Sequence, residues 1–234
     1  MFFRMQPTAS SAPNGSNSSG AAASGSNSGG GPVAASRWLL FALVAGGGLA
    51  ADLWTKSYMF HRLGMPDHGR VWWVWPEVFG FQTSLNEGAL FGIGQGRQPL
   101  FIVLALGALV GVFYWLFYAG AARDGWLCLS LSGITAGVLG NLYDRLGLHG
   151  LVWPSWHPAA GEPVYAVRDV ILVMIGRYHW PNFNIADSLL VGGAAVLIAH
   201  SLLVKPPEAT TIAAEKLAGG TESAAGSPPG PSSA

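Results

Sequence analysis

The residues of this chain that could do chemistry gather where apolar runs begin or end. Asp187 opens one such run in "FNIADSLLVGGA", from Phe183 to Ala194. "GNLYDRLG", from Gly140, closes another: Asn141 and Arg145 share a helix face at i,i+4, with Asp144 beside them. Asp52 and Lys56, four apart in "DLWTK", fall on one face near the end of a third. They read either as a self-neutralising pair snorkelling at a membrane interface or as support for a site. Ionisable groups in or beside hydrocarbon are costly and usually have a function. Asn184, three residues ahead of Asp187, has the type and position of a helix N-cap, and the helix N-terminus favours Asp187 as an anion. Neither effect gives Asp187 a task.

A partner for it is Asp169, in "YAVRDVILVMIG", a phrase on the same side of the membrane as the start of the Asp187 run. Two carboxylates brought close share one proton, with one macroscopic pKa raised and the other lowered. Such a pair activates water with one group and polarises an amide carbonyl with the other. Other hydrolytic equipment is scarce. The sequence has no H-E-x-x-H, no histidines paired at metal spacing and no G-x-S-x-G, so no metal site is read from it. Ser132 lies inside one apolar run and His200 in another, so a serine–histidine pair would have to meet near mid-membrane. The single cysteine, Cys128, excludes a disulfide framework and reads as a small apolar filler in a helix.

These groups need elements to hold them. Half of the 234 residues are apolar and only 10% are charged, against roughly 25% in soluble globular proteins. The formal net charge is zero and no basic stripe occurs, so no nucleic-acid partner is indicated. Four runs have the length of a membrane helix: 38–59, 100–119, 126–143 and 185–204. At 1.5 Å per residue each can cross a core of about 30 Å. Small-residue clusters in three of them ("GGGLAAD", "GALVG", "GITAGVLG") permit close helix approach. The long links 60–99 and 145–184 then lie together on one side. They carry "VWWVW" at 71–75 and Trp153, Trp156 and Trp180, rings that settle at headgroup level. Alternation within 69–94 predicts short strands forming a sheet-like platform. The fold class expected is an all-α polytopic membrane protein, four transmembrane helices with a small extracytoplasmic β-like platform. Residues 1–36 and 206–234, rich in Ser, Gly, Ala and Pro, read as flexible tails, the second with one short helical patch in "TTIAAEKLA", around a membrane domain spanning 37–205. Arg4, Arg37, Arg123, Lys205 and Lys216 on the tail side nearly balance Arg62, Arg70, Arg97, Arg145, Arg168 and Arg177 on the other, so charge alone leaves orientation open.

The motifs resemble those of the bacterial signal peptidase II (lipoprotein signal peptidase) family. Its D-x-x-x-K is similar to Asp52 and Lys56, and its N-x-G-x-x-F to Asn86, Gly88 and Phe91. Its G-N-x-x-D-R is met by Gly140, Asn141, Asp144 and Arg145, and its F-N-x-A-D-S by Phe183, Asn184, Ala186, Asp187 and Ser188. The resemblance covers about 38–203. It implies an aspartic-type endopeptidase with Asp169 and Asp187 as the catalytic pair, base and acid roles unassigned between them. It further implies substrate-binding or supporting roles for Asp52, Lys56, Asn86, Gly88, Asn141, Asp144, Arg145, Asn184 and Ala186. The implied substrate is a prolipoprotein whose cysteine carries diacylglycerol, cut at the amide preceding that cysteine and held among membrane lipids. No cofactor or metal is implied, and the enzyme is expected to be a monomer. It belongs in the bacterial inner membrane, with both tails cytoplasmic, the site near the extracytoplasmic face and the tryptophan-rich "VWWVW" covering the cleft. One departure stands out: Arg168 replaces the family's apolar neighbour of the first aspartate, after an unusually long link, and leaves Asp144 as the rival of Asp169. The alternatives are a catalytically inactive homologue, or a membrane binding or transport protein, although a secondary transporter is disfavoured by the lack of an internal repeat.

Overall fold

The structure is a computed structural model that describes residues 33–66, 69–88, 94 and 96–203. Phe91, both expected tails except residues 33–36, and the short helix anticipated in "TTIAAEKLA" lie outside them. Four helices carry the fold: α1 (Ala35–Leu63), α2 (Gln98–Phe113), α3 (Gly125–Arg145) and α4 (Ile185–Leu203). Each is long and apolar enough to cross a membrane once the π-turn Tyr114–Tyr118 is counted with α2. They coincide with the four expected runs, and α1 extends further at both ends.

Local chemistry sets several boundaries. Asp124 caps α3, its Oδ1 accepting from the Trp126 and Leu127 N–H groups at 2.8 and 3.1 Å. Its Oδ2 lies 3.0 Å from Nε2 of His200 in the last turn of α4, tying α3 to α4 at this end. Burial pushes the Asp124 carboxyl up, but these hydrogen bonds and His200 together hold it below the usual range. Gly120, at φ +80°, supplies the left-handed residue after the aromatic π-turn. A stacked pair, Trp38 and Phe117 at 4.1 Å, holds that turn to α1.

Helix α3 is central, with α1, α2 and α4 packed around it. Its glycines explain how closely α4 approaches. A Cβ on Gly137 would run into the Ala186 carbonyl oxygen and lie 3.0 Å from the Leu190 backbone nitrogen. From the other side, a Cβ on Gly193 would come within 2.8 Å of the Ser130 carbonyl oxygen. The Ser130 hydroxyl closes the contact with a 2.6 Å bond to the Gly193 carbonyl. The outward faces of α1, α2 and α4 expose Leu39, Leu43, Val103, Val110, Leu202 and Leu203, a surface matched to lipid rather than water.

Beside the helices stands a four-stranded antiparallel sheet in the order β1 (Trp72–Trp75), β2 (Phe79–Asn86), β3 (Val167–Ile175), β4 (Tyr178–Phe183). The strands expected near 69–94 are present as β1 and β2. The sheet is twice that size because the second long link contributes β3 and β4, so the all-α description is too narrow. Apolar alternation was weak there: "VRDVILVMI" is nearly continuous, the pattern of a strand covered on both faces.

Glycine substitutions separate packing from mere tolerance. Gly137→Ala forces backbone against backbone and should destabilise the fold by about 1–3 kcal/mol. Gly46, with nothing within 4 Å of a built Cβ, should accept alanine at no cost. Denaturant unfolding in detergent micelles reads both, and equal midpoints for the two variants would contradict this packing.

Candidate active site

Helix α4 begins beside the sheet, and its first turn is held by residues from three other elements. Asn184 is the N-cap: its Oδ1 accepts the Asp187 N–H at 2.8 Å, while Asp187 Oδ2 accepts the Asn184 N–H at 3.2 Å. This is a reciprocal capping box with aspartate at its third position. From α1, Asp52 Oδ1 accepts the Ala186 N–H at 2.8 Å. From α3, Asn141 Nδ2 donates to Asp187 Oδ1 at 2.7 Å. From β3, Asp169 Oδ1 accepts from Asn184 Nδ2 at 2.7 Å. One asparagine therefore touches both aspartates, through its backbone and through its side chain.

Behind this layer lies a buried ionic cluster. Lys56 Nζ reaches Asp52 at 2.8 Å, Asp144 at 3.1 Å and Asn141 Oδ1 at 3.1 Å. Asp52, Lys56 and Asp144 are 0% exposed, so the first pair does not snorkel at an interface but supports the site. Asp144 does not pair with Arg145. Its carboxylate takes Lys56 and three N–H donors of Arg168, from the backbone, Nε and Nη2 at 2.9, 3.0 and 2.8 Å. Removing one partner from such a buried set typically costs about 3–5 kcal/mol.

Arg145 turns instead toward the second layer of the cleft. Its Nη2 donates to the Gly88 carbonyl at 2.9 Å, and its guanidinium lies 5.1 Å from the centre of the Phe101 ring. Its Nε is buried without a hydrogen-bond partner among the described residues. Gly88 sits in an Asx-type turn, its N–H bonded to Asn86 Oδ1 at 3.0 Å. The side chain of Asn86 also hydrogen-bonds Asp169.

Asp169 and Asp187 both face one cleft of about 890 Å³, which Asn86, Asn141 and Arg145 also line. Its upper rim comes from β2 and β4, including Gln82, His179, Trp180 and Asn182. Its lower wall is apolar: Leu104 and Ala105 of α2, Gly137 and Val138 of α3, Leu190 and Val191 of α4. The "VWWVW" stretch does not cover it. Trp72 pairs with Phe81 and lies over a separate apolar groove against Trp54 and Tyr58. Strand β1 is the sheet's far edge, a placement set by pairing order and invisible in composition. Sequence reasoning also missed Phe101 on α2 and the Gln82–His179–Asn182 rim on β2 and β4, since nothing in the spacing of these polar and aromatic residues sets them apart from their neighbours.

Burial first, and then the charge of Asp187, push the Asp169 carboxyl from 3.8 to about 7. Hydrogen bonds from Asn184 and Asn86 and the charge of Lys56 oppose the shift. Near neutrality this carboxyl can hold a proton while facing a second carboxylate, the division an acid–base pair needs.

Four membrane-competent helices around a cleft with two carboxylates define the class: a polytopic membrane protein with an aspartic-type hydrolytic site. A family model described as signal peptidase (SPase) II matches residues 43–203. The chain is 43% identical over 169 residues to a lipoprotein signal peptidase of Rhodopirellula baltica, covering 71% of this chain and 73% of the relative. A lipoprotein signal peptidase of Rhodococcus jostii is 32% identical over 185 residues, covering 79% and 83%. A bacterial membrane enzyme solved by the in meso method at 2.3 Å shares the fold, with TM-score 0.56 at 24% identity over 76% of this chain and 97% of that one. The chain belongs to the signal peptidase II family and is an aspartic-type membrane peptidase.

The raised Asp169 has a thermodynamic signature. Its folded-state pKa of about 7 exceeds the unfolded 3.8, so the folded state keeps a proton that the unfolded state releases. Stability therefore falls as pH rises from about 4 to about 7. Asp169→Asn removes this penalty and should be more stable than the parent at pH 8, by on the order of 1–4 kcal/mol. The gap should close toward pH 4. Unfolding midpoints in detergent at both pH values test this, and a gap independent of pH would refute it.

Proposed function

We propose that this peptidase removes the signal peptide from prolipoproteins whose cysteine already carries diacylglycerol, with Asp169 and Asp187 as its catalytic pair. The observation that carries the reading is the joining of two carboxylates through Asn184 at the mouth of a cleft whose lower wall is apolar. Acyl chains would lie along Leu104, Val138, Leu190 and Val191, which brings the amide preceding the modified cysteine up to the polar rim.

The ionised carboxylate takes a proton from water as its oxygen attacks the scissile carbonyl carbon. The protonated carboxyl donates to the carbonyl oxygen, giving a tetrahedral diol. On collapse one diol hydroxyl returns its proton to the ionised carboxylate as the carbonyl re-forms, the protonated carboxyl donates to the amine nitrogen as the C–N bond breaks, and the pair again holds one shared proton. Asn141 and Asn184 orient the two carboxylates, and Asn86 assists at Asp169. The Nε of Arg145 is available to substrate carbonyl oxygen, while its Nη2 keeps the Asn86–Gly88 turn in place. Asp52, Lys56 and Asp144 hold the first turn of α4 and the start of β3, with Ala186 packed where only a small side chain fits. The domain is residues 37–205, acting as a monomer in the bacterial inner membrane. Both tails lie in the cytoplasm and the sheet on the outer side.

Asp169→Asn and Asp187→Asn should each fold, bind lipid-modified substrate and lose at least about 100-fold in the chemical step. Asp144→Asn should lose mainly stability. Single-turnover cleavage of a diacylglyceryl prolipoprotein, by matched folded amounts in lipid, compares the three. Near-normal turnover by Asp169→Asn beside a dead Asp144→Asn would move the pair to Asp144 and Asp187, and an active Asp187→Asn would end the mechanism.

Orientation has its own test. In a Cys128→Ser background, single cysteines at Ser16, Gly69 and Gly161 are exposed to an impermeant thiol reagent on cells with a permeabilised outer membrane. Positions 69 and 161 should label and 16 should not. The reverse pattern would invert the topology.

A further inference from the structure

Arg168, next to Asp169 in β3, commits its backbone N–H and all three guanidinium nitrogens to hydrogen bonds. It is 3% exposed and inside a strand. Along β3, Val167 and Asp169 face the cleft, so the intervening Arg168 points to the opposite face, as strand alternation requires. There its backbone N–H and its guanidinium grip one carboxylate, that of Asp144 on α3. Its Nη1 donates to the Ser57 hydroxyl of α1 at 3.2 Å, and its plane lies 6.0 Å from the centre of the Phe60 ring. One residue thus fixes its peptide at both the main chain and the side-chain tip, to two membrane helices.

The sheet cannot do this alone at that point. Phe81 pairs with Ile171 and Ser84 with Asp169, so β2 carries an extra residue just beside Asp169. On the other side the β4 pairing is irregular between Ile171 and Val173, and no β4 partner extends to Asp169. Bulges loosen and re-aim the strand they flank. Asp169 is therefore held by the ladder on one side only, at the last regular pair before the bulge, with Ser84, Leu85 and Asn86 opposite Asp169, Arg168 and Val167.

We propose that Arg168 is a positioning residue for the peptidase reaction, clamping β3 to Asp144 so that the Asp169 carboxyl stays in register with Asp187. The clamp continues through Lys56 to Asp52, whose Oδ1 holds the Ala186 N–H next to Asp187. Both carboxylates are thereby referenced to a single charge-balanced chain: Arg168, Asp144, Lys56, Asp52. Arg168 is the second cation of this chain of charges and adds a rigid strut.

Removing that cation also alters the field at Asp169. The charged and titratable groups facing it are Asp187 from α4, Lys56 from α1 and Arg145 from α3. Asp144 and His149 lie beside Arg168, on the far face of β3. Without Arg168 the buried chain carries one net negative charge, which disfavours ionisation of Asp169 and moves its limb of the pH profile to higher pH.

The inference rests on Asp169 being half of the catalytic pair, so Asp169→Asn is measured in parallel. Arg168→Met, Arg168→Lys and the charge-neutral double variant Asp144→Asn/Arg168→Met are assayed as purified full-length protein in lipid, per folded molecule. Substrate is a diacylglyceryl prolipoprotein. Arg168→Met should lower kcat at least tenfold with KM within about twofold of the parent, and shift the Asp169 limb upward. Arg168→Lys, which keeps the charge but not the fork, should lose kcat with the limb unmoved. The double variant folds without an unpaired buried charge, and its kcat should stay low because the clamp is gone. Normal kcat in the double variant, or normal kcat and an unmoved limb in Arg168→Met, beside a dead Asp169→Asn, would overturn the role of Arg168 alone. An active Asp169→Asn would instead overturn the catalytic pair on which it rests.

Discussion

A single ammonium group, Nζ of Lys56, holds together the parts that the site is built from. It contacts Asp52 on its own helix, Asp144 on α3 and Asn141 beside it. Asp52 in turn caps the start of α4, Asp144 anchors β3 and Asn141 bonds Asp187. Three helices and the sheet meet at this point with no water-exposed charge among the central three residues. A buried ion set of this kind gives little net stability, because desolvation offsets most of its attraction. What it gives is a unique arrangement: any displacement of one element leaves a charge uncompensated.

The same constraint explains the position of the two carboxylates that face the cleft. Asp187 is stabilised as an anion by the helix N-terminus, by its capping box and by Asn141. Asp169 is buried on a strand, with donors from Asn184 and Asn86 and the charge of Asp187 nearby. Burial and that charge push its carboxyl up to about 7, so it can hold a proton near neutrality. Asparagine is the suitable intermediary. It donates to a carboxylate without adding a charge that would fix both groups in the ionised state.

The cleft is apolar along one wall and polar at its rim. Lipid-like walls on α2, α3 and α4 lie below a polar rim supplied by the sheet. Water is needed at the amide, whereas the acyl chains must stay in hydrocarbon. Helix ends adjoining a sheet are where both conditions hold, since the backbone there is satisfied by strand pairing rather than by solvent.

Much of this was legible in the sequence. Four runs of adequate length and few charges fixed the helices, because hydrocarbon admits little else. The polar phrases at their ends identified Asp52, Lys56, Asn141, Asp144, Asn184 and Asp187, since such residues are rarely kept there without use. Composition also carried the strands of the first long link. Tertiary structure alone decided who pairs with whom. Asp144 could have turned to Arg145, its neighbour in sequence, yet β3 brings Arg168 to it from 24 residues away. The tryptophan-rich strand lies at the sheet's far edge because strand order, a matter of long-range pairing, places β2 and β3 between it and β4, the strand that leads into α4. Asp169 reads as a loop residue in "AVRDV" because a strand buried on both faces has no period of its own. Sequence records which residues can bear charge beside a membrane. Which charges meet depends on distances between segments far apart in the chain, and only the folded packing sets those.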